Sequence, residues 1–217
     1  MSNIHVFSEK SRKIIEPLVE TVFTNPFLEE RQILNRKILG DAYNYPNPAG
    51  ASPNGSVKRS DNEIAIVQTC RDLVDKARKK IIAESIASQH PEYSLYEHLI
   101  YFLIYHDLSQ SIDRFILKCI EKPENNLEWK DFTELQAYFN FYLKPDGTNL
   151  PTIYNPSELS AFFFQLRRAF FHTYTNLAGS SVAIIKLRAR VWDSIFTHNM
   201  RRYFRSLHQR MNNIYTL

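Results

Sequence analysis

Gly50 and Gly55 carry the spacing of a phosphate-binding loop. Such a loop needs Lys and then Ser or Thr directly after the second glycine. Freed backbone N–H groups then face the phosphates, Lys reaches them and the hydroxyl holds magnesium. Here Ser56 and Val57 occupy those two positions, and no strand pattern precedes them, so nucleotide binding by this segment is not expected. The seven histidines are His5, His90, His98, His106, His172, His198 and His208. No two lie four apart, the helical spacing that lets two imidazoles share an ion. His98 and His106 fall two turns apart, too far to chelate one ion alone. His106 and Asp107 have the residue types of a catalytic dyad, but adjacent helical residues point apart. There is no Gly-x-Ser-x-Gly elbow. Neither Cys70 nor Cys119 has a neighbouring His or a Cys-x-x-Cys partner, so both read as small buried hydrophobes.

Two segments could bind rather than react. The stretch from about 127 to 143 carries Trp129, Phe132, Tyr138, Phe139, Phe141 and Tyr142. A stacking platform for nucleic acid would interleave Arg and Lys with such rings. Glu128, Asp131 and Glu134 stand there instead, which favours core packing. The last stretch crowds Lys186, Arg188, Arg190, Arg201, Arg202, Arg205 and Arg210 against one acid, Asp193. An Arg-rich amphipathic helix suits a phosphate backbone, an acidic membrane face, an acidic partner or simple solvation.

The elements that must position these residues are helices. Ile14, Ile15, Leu18, Val19, Val22 and Phe23 recur at helical steps, with Pro17 starting or kinking the run. Asn25-Pro26 reads as a cap followed by Pro at the first helical position, opening a helix that ends at Gly40. Residues 41–60 form a long loop, and loops of this length are usually functional or mobile. Asp61 caps a helix from about 62 to 88. Ser94 and Glu97 have the spacing of a capping box, opening a helix through His106. Further helices are expected from about 109 to 121 and from about 127 to 143. A second loop covers 144–155, with Asp146-Gly147. Asn155-Pro156 repeats the cap-then-Pro start, and Gly179 stops the helix that follows. From Ser180 to about Asn213 the apolar steps Leu187, Val191 and Ile195, then Phe196, Met200, Tyr203, Leu207 and Met211, predict one long basic helix. Ile214 to Leu217 turns β-like. The fold class is therefore all-α, a multi-helix domain followed by a long basic C-terminal helix with a β-like chain end.

Bulk properties fit this reading. The chain has 217 residues, 44% of them hydrophobic, and a net charge of +4. That suits one large or two small domains with a real core, and is too mild a charge to imply nucleic acid by itself. Only five glycines argue against turn-dense β folds. Two cysteines far apart do not make a disulfide framework. No signal-peptide pattern and no membrane-length apolar run is present, so a cytoplasmic, non-membrane protein is expected.

The run Leu187-Arg-Ala-Arg-Val-Trp-Asp-Ser-Ile-Phe-Thr-His-Asn-Met-Arg-Arg-Tyr203, followed by Arg205-Ser-Leu-His-Gln-Arg-Met211 and Thr216-Leu217, resembles one subgroup of the bacterial sigma-54-dependent transcriptional activators. Asn25-Pro-Phe27, Arg31, Leu39-Gly-Asp-Ala42 and the segment Phe163, Leu166-Arg-Arg-Ala-Phe170 resemble the N-terminal region of the same subgroup. The likeness covers almost the whole chain and is most specific over 179–217, which in that subgroup leads into the AAA+ ATPase domain. The resemblance implies a helical regulatory domain over 1–178, with 179–217 as linker and first helix of a truncated AAA+ module. It implies that ATP and magnesium belong only to the missing downstream domain, so that this chain holds no cofactor, metal or catalytic residue and is not itself an enzyme. RNA polymerase with sigma-54, and DNA, would be reached only through missing domains. Homo-oligomerisation is compatible with it.

The candidate interaction surface is Arg188, Trp192, Phe196, Arg201, Arg202, Arg205 and Leu207. Without the neighbours of a complete ATPase module, the Trp192, Phe196 and Leu207 face would lose its cover, and residues from about 180 are expected to pack less well than residues 1–178. Loop 41–60 is the candidate moving part of a regulatory switch. The alternatives are a stand-alone helical adaptor that binds a protein partner, and a basic nucleic-acid-binding protein using the Arg-rich helix.

Overall fold

Leu99, Ile100, Tyr101, Phe102, Leu103 and Ile104 are six consecutive buried residues. A helix that is apolar all round must be enclosed by others, and this one is the axis of the molecule. The computed structural model describes residues 5–45, 60–86, 89–122, 128–145 and 150–207. Its main helices are α1 Glu9–Phe23, α2 Glu29–Leu39, α3 Asp61–Ala83, α4 Tyr93–Glu121, α5 Phe132–Leu143, α6 Pro156–Asn176 and α7 Val182–Ile195. A short helical segment, Met200–Arg202, continues into a wide turn, Tyr203–Leu207. No strand occurs among the described residues, in keeping with the all-α reading. Helix α4 packs against α1, α3, α5 and α6; α2 bridges α1 and α3, and α7 lies on α6.

Local signals hold where they are strongest. The side chain of Asn155 accepts from Glu158 N at 2.9 Å, and Glu158 accepts from Asn155 N at 3.0 Å, closing a capping box with Pro156 at the first position. Gly40 ends α2 with φ 54, a left-handed backbone that glycine adopts without cost. Helix α1 runs through Pro17. The missing hydrogen bond and ring clash cost about 3 kcal/mol, while burying Ile15, Leu18 and Val19 gains roughly 1.5–3 kcal/mol each.

Four expectations are corrected. Asn25-Pro26 does not start α2, which begins at Glu29; Asn25 is buried and points its amide at α7. The cap of α3 is Ser60, not Asp61: its hydroxyl accepts from Glu63 N at 3.2 Å, and the helix ends at Ala83. Ser94 and Glu97 form no capping box, because α4 begins at Tyr93 and Glu97 turns inward to accept from the Tyr101 hydroxyl at 2.7 Å. The break expected near residue 108 is absent. No Gly or Pro interrupts the sequence there, and Ser109 spends its hydroxyl on His106 O at 2.8 Å rather than competing with the helix.

A fifth correction concerns the chain end. The long basic helix breaks after Ile195. Thr197 and His198 both adopt left-handed backbone, φ 54 and 56, and Asn199 caps the next turn by accepting from Arg202 N at 2.9 Å. In one straight helix, Trp192 and Phe204 would lie about 18 Å apart along the axis. The reversal lets both reach the same core cluster. Trp192, Phe196, Tyr203 and Phe204 are all at most 5% exposed, so the poor packing expected from about residue 180 is not found at these four, whereas Val182, Ile185 and Leu187 of α7 are exposed.

Several expectations fall outside the described residues: the glycine pair Gly50 and Gly55 with Ser56 and Val57, the rest of 46–59, Asp146-Gly147, His208, Arg210, Met211 and the β-like end 214–217. The start of the long loop is described and is fastened. Asn44 N donates to Asn62 Oδ1 at 2.9 Å, and Asn62 returns a bond to Asn44 O at 2.6 Å.

Candidate functional site: an aromatic cavity with a buried arginine

The reversal after α7 closes one end of a cavity of about 250 Å³ between α1, α2, α3, α4 and α6. Phe102 and Tyr105 of α4, Phe163 and Phe170 of α6, and Trp192 and Phe204 of the terminal segment supply its apolar wall. Phe27 stacks on Phe170 with centroids 5.4 Å apart and meets Trp192 edge-on at 6.0 Å, which ties α2's approach to α6 and α7. Asn25 completes this junction. Its amide donates to Ala189 O and to Asp193 Oδ1, both at 2.9 Å, while its own Oδ1 accepts from Phe27 N at 3.0 Å.

Three polar arrangements face the cavity. Arg167 makes a two-pronged pair with Asp113: Nε to Oδ1 and the terminal nitrogen to Oδ2, each 2.6 Å. Burial works against the Arg167 charge, but the hydrogen bond to Asp113, helped by Tyr105, outweighs it and raises the pKa above the ordinary arginine value. His106 Nδ1 lies 2.9 Å from Glu63 Oε1. Arg31 is different. One terminal nitrogen donates to Thr21 O, and no carboxylate among the described residues pairs with it. Burial lowers the Arg31 pKa, opposed by the more distant charges of Glu63 and Tyr105. One turn on, Asn35 lines the same cavity with a buried Oδ1 that has no hydrogen-bond partner among the described residues.

The arrangement can hold a polar group against Arg31 and pack an apolar body against the rings. The hydroxyls of Thr21 and Ser109, also in the lining, each donate to a backbone carbonyl, Leu18 O and His106 O. Cys70 is buried, donates to Leu99 O at 3.4 Å, and burial pushes its thiol pKa far up, so its thiolate is suppressed. No group of three His, Cys, Asp or Glu among the described residues could hold a metal ion.

The surface expected from the sequence is not one surface. Arg188 is 7% exposed; it donates twice to Leu177 O, at 2.9 and 2.6 Å, and lies over the Tyr174 ring. It fastens α7 to the end of α6. Trp192 and Phe196 face the interior, 4.6 Å apart by ring centroids. Arg201 bonds Glu20 and covers the Phe23 ring at 4.3 Å. Arg202 and Arg205 are exposed, and Leu207 ends the wide turn. The residues that converge on the cavity, Arg31, Asn35, Glu63, His106 and Arg167, were not singled out by sequence as a site. The available signal was Arg31 and Asn35 at i and i+4 on one helix face; what surrounds them comes from helices far away in sequence.

Behind the cavity wall, Glu97 is 4% exposed. It accepts from the Tyr101 hydroxyl and from Ile153 N. Burial raises its pKa, and those two hydrogen bonds only partly oppose the shift. A carboxyl with a raised folded pKa is most favourable to folding while protonated. Its contribution is lost as pH rises from the unfolded carboxylate value through the folded one. Glu97→Gln should therefore gain in melting temperature relative to the parent as pH increases across that window, and melts at pH 4.5 and 7.5 (set about the carboxylate range) check it. A constant difference would show that Glu97 does not titrate between the two states.

Comparison of the chain with protein-family models, with curated proteins and with solved structures gives no match.

Proposed function

We propose that this chain is the regulatory segment of a sigma-54-dependent transcriptional activator and controls an AAA+ ATPase domain that the chain itself does not contain. The resemblance over 179–217 is one support. The observation that carries the reading is that this same stretch, which in the resembling subgroup leads to the ATPase, forms a wall of the cavity through Trp192, Met200 and Phe204. The remaining walls come from α1, α2, α3, α4 and α6. Whatever fills or empties the cavity must act on the terminal segment, and a signal can bias two arrangements only through such differential contact. ATP and magnesium would then act in the ATPase domain, with RNA polymerase and DNA engaged beyond it, in a bacterial cytoplasm. No described helix is long and apolar enough to cross a membrane.

The coding DNA past Leu217 tests this directly. A short strand followed by Gly-x-x-x-x-Gly-Lys is expected in frame or in a neighbouring frame. Its absence from all three frames would remove the object of regulation. The stand-alone adaptor is the second reading, favoured by one observation: Val182, Ile185 and Leu187 of α7 are 67, 40 and 43% exposed. Against a nucleic-acid role, Arg188 and Arg201 are already engaged within the fold.

A further inference from the structure

We propose that the cavity binds a small organic anion, a carboxylate on a ring-sized apolar body, with Arg31 as its anchor. The cavity measures about 250 Å³. A dry cavity of about 150 Å³ admits benzene, so the space here takes one ring with a substituent. Its rings offer faces and edges to an apolar body, and Trp192 and Phe204 close it from the terminal segment.

The polar end of the ligand is specified by what the protein leaves unpaired. An arginine carries five N–H donors and a fixed charge. Arg31 has one described partner, a backbone carbonyl. Glu63, whose charge reaches it, is held by His106. The segment 46–59, which leads from the α2 side to Ser60, contains no Asp or Glu in its sequence and so cannot supply a counter-charge. Arg31 is half-buried, and a planar carboxylate meets a guanidinium with two parallel hydrogen bonds. Asn35, four residues on and on the same face, has a buried amide oxygen without a partner. An amide can turn either end outward, so it can satisfy a second polar atom of the ligand. Arg167 does not compete for the anion, because Asp113 already holds both prongs of its guanidinium. A guanidinium with no carboxylate paired to it among the described residues fits a carboxylate, since Glu63 and Arg167 in the same lining are already engaged by His106 and Asp113. A phosphate dianion would need further donors.

The experiment measures binding to this chain alone, by calorimetry, melting temperature and Trp192 fluorescence in a Trp129→Phe background. The probes are benzoate, phenylacetate and cyclohexanecarboxylate. Benzamide serves as the neutral match and inorganic phosphate as the bare anion. At least one carboxylate should bind, raise the melting temperature and change the fluorescence, with benzamide and phosphate at least about tenfold weaker. Arg31→Gln should weaken binding by about tenfold or more, and Arg31→Lys by less. Should Arg31→Gln not fold, Asn35→Ala keeps the charge and is expected to weaken binding severalfold. Equal binding of benzamide, unchanged binding in the variants, preference for phosphate, or no response to any carboxylate at millimolar concentration overturns the proposal. The regulatory reading is tested separately, by the coding sequence past Leu217, so its failure is distinguishable from the failure of this proposal.

Discussion

Asp113→Ala is expected to destabilise the fold by about 3–5 kcal/mol, because it strands the Arg167 charge in the interior. Arg167 is 8% exposed, and its only carboxylate partner among the described residues grips it at 2.6 Å through both oxygens. Making the buried pair is close to neutral, since desolvating two charges offsets their attraction. Breaking it leaves a cost with nothing against it. For a chain of this size the melting temperature should fall by roughly 10 °C. Replacing both residues, Asp113→Ala with Arg167→Met, should recover most of the loss, since Met fills the stem's volume and removes the charge. Denaturant melts of the parent, the single variant and the double variant decide this. A single variant within about 1 kcal/mol of the parent, or a double variant no better than the single, would mean that water reaches Arg167.

Phe204→Ala should cost about 3–5 kcal/mol, the penalty of deleting a fully buried ring. Phe204 is 1% exposed and meets Phe23, His98, Tyr101, Tyr154 and Phe162 with ring centroids 5.1 to 6.1 Å apart. The Tyr154 hydroxyl also donates to its carbonyl. The adjacent exposed Arg205→Ala should change stability by less than about 0.5 kcal/mol. The contrast matters because the terminal segment could instead be loosely attached. If both variants unfold with the parent's denaturant midpoint, the segment does not belong to the cooperative unit. A large loss at Phe204 alone makes the terminal segment part of the core, and therefore able to respond to the cavity it lines.

Legibility in the sequence followed the range of the interaction. Asn155, Pro156 and Glu158 act within one turn, and that start was readable. Gly40 as a stop was readable for the same reason, as was the burial implied by the apolar run around Leu99–Ile104. Asn25-Pro26 shows the same local pattern as Asn155-Pro156 and behaves differently, since its amide is claimed by Ala189 and Asp193, far along the chain. Ser94 and Glu97 failed as a capping box because burial of Glu97 beside Tyr101 and Ile153 outcompeted the exposed cap.

The sequence by itself determined an all-helical chain, some of its helix ends, and the apolar faces that must meet. Helical periodicity and caps are properties of neighbours within a few residues. Only the tertiary structure decided that the terminal helix folds back at Thr197 and His198, that Arg188 is a fastening rather than a surface, and that Arg31 lines an aromatic cavity with no carboxylate paired to it among the described residues. Each of these depends on groups brought together from different helices. Charge and burial at such points are set by distance in space, to which the spacing of residues along the chain is blind.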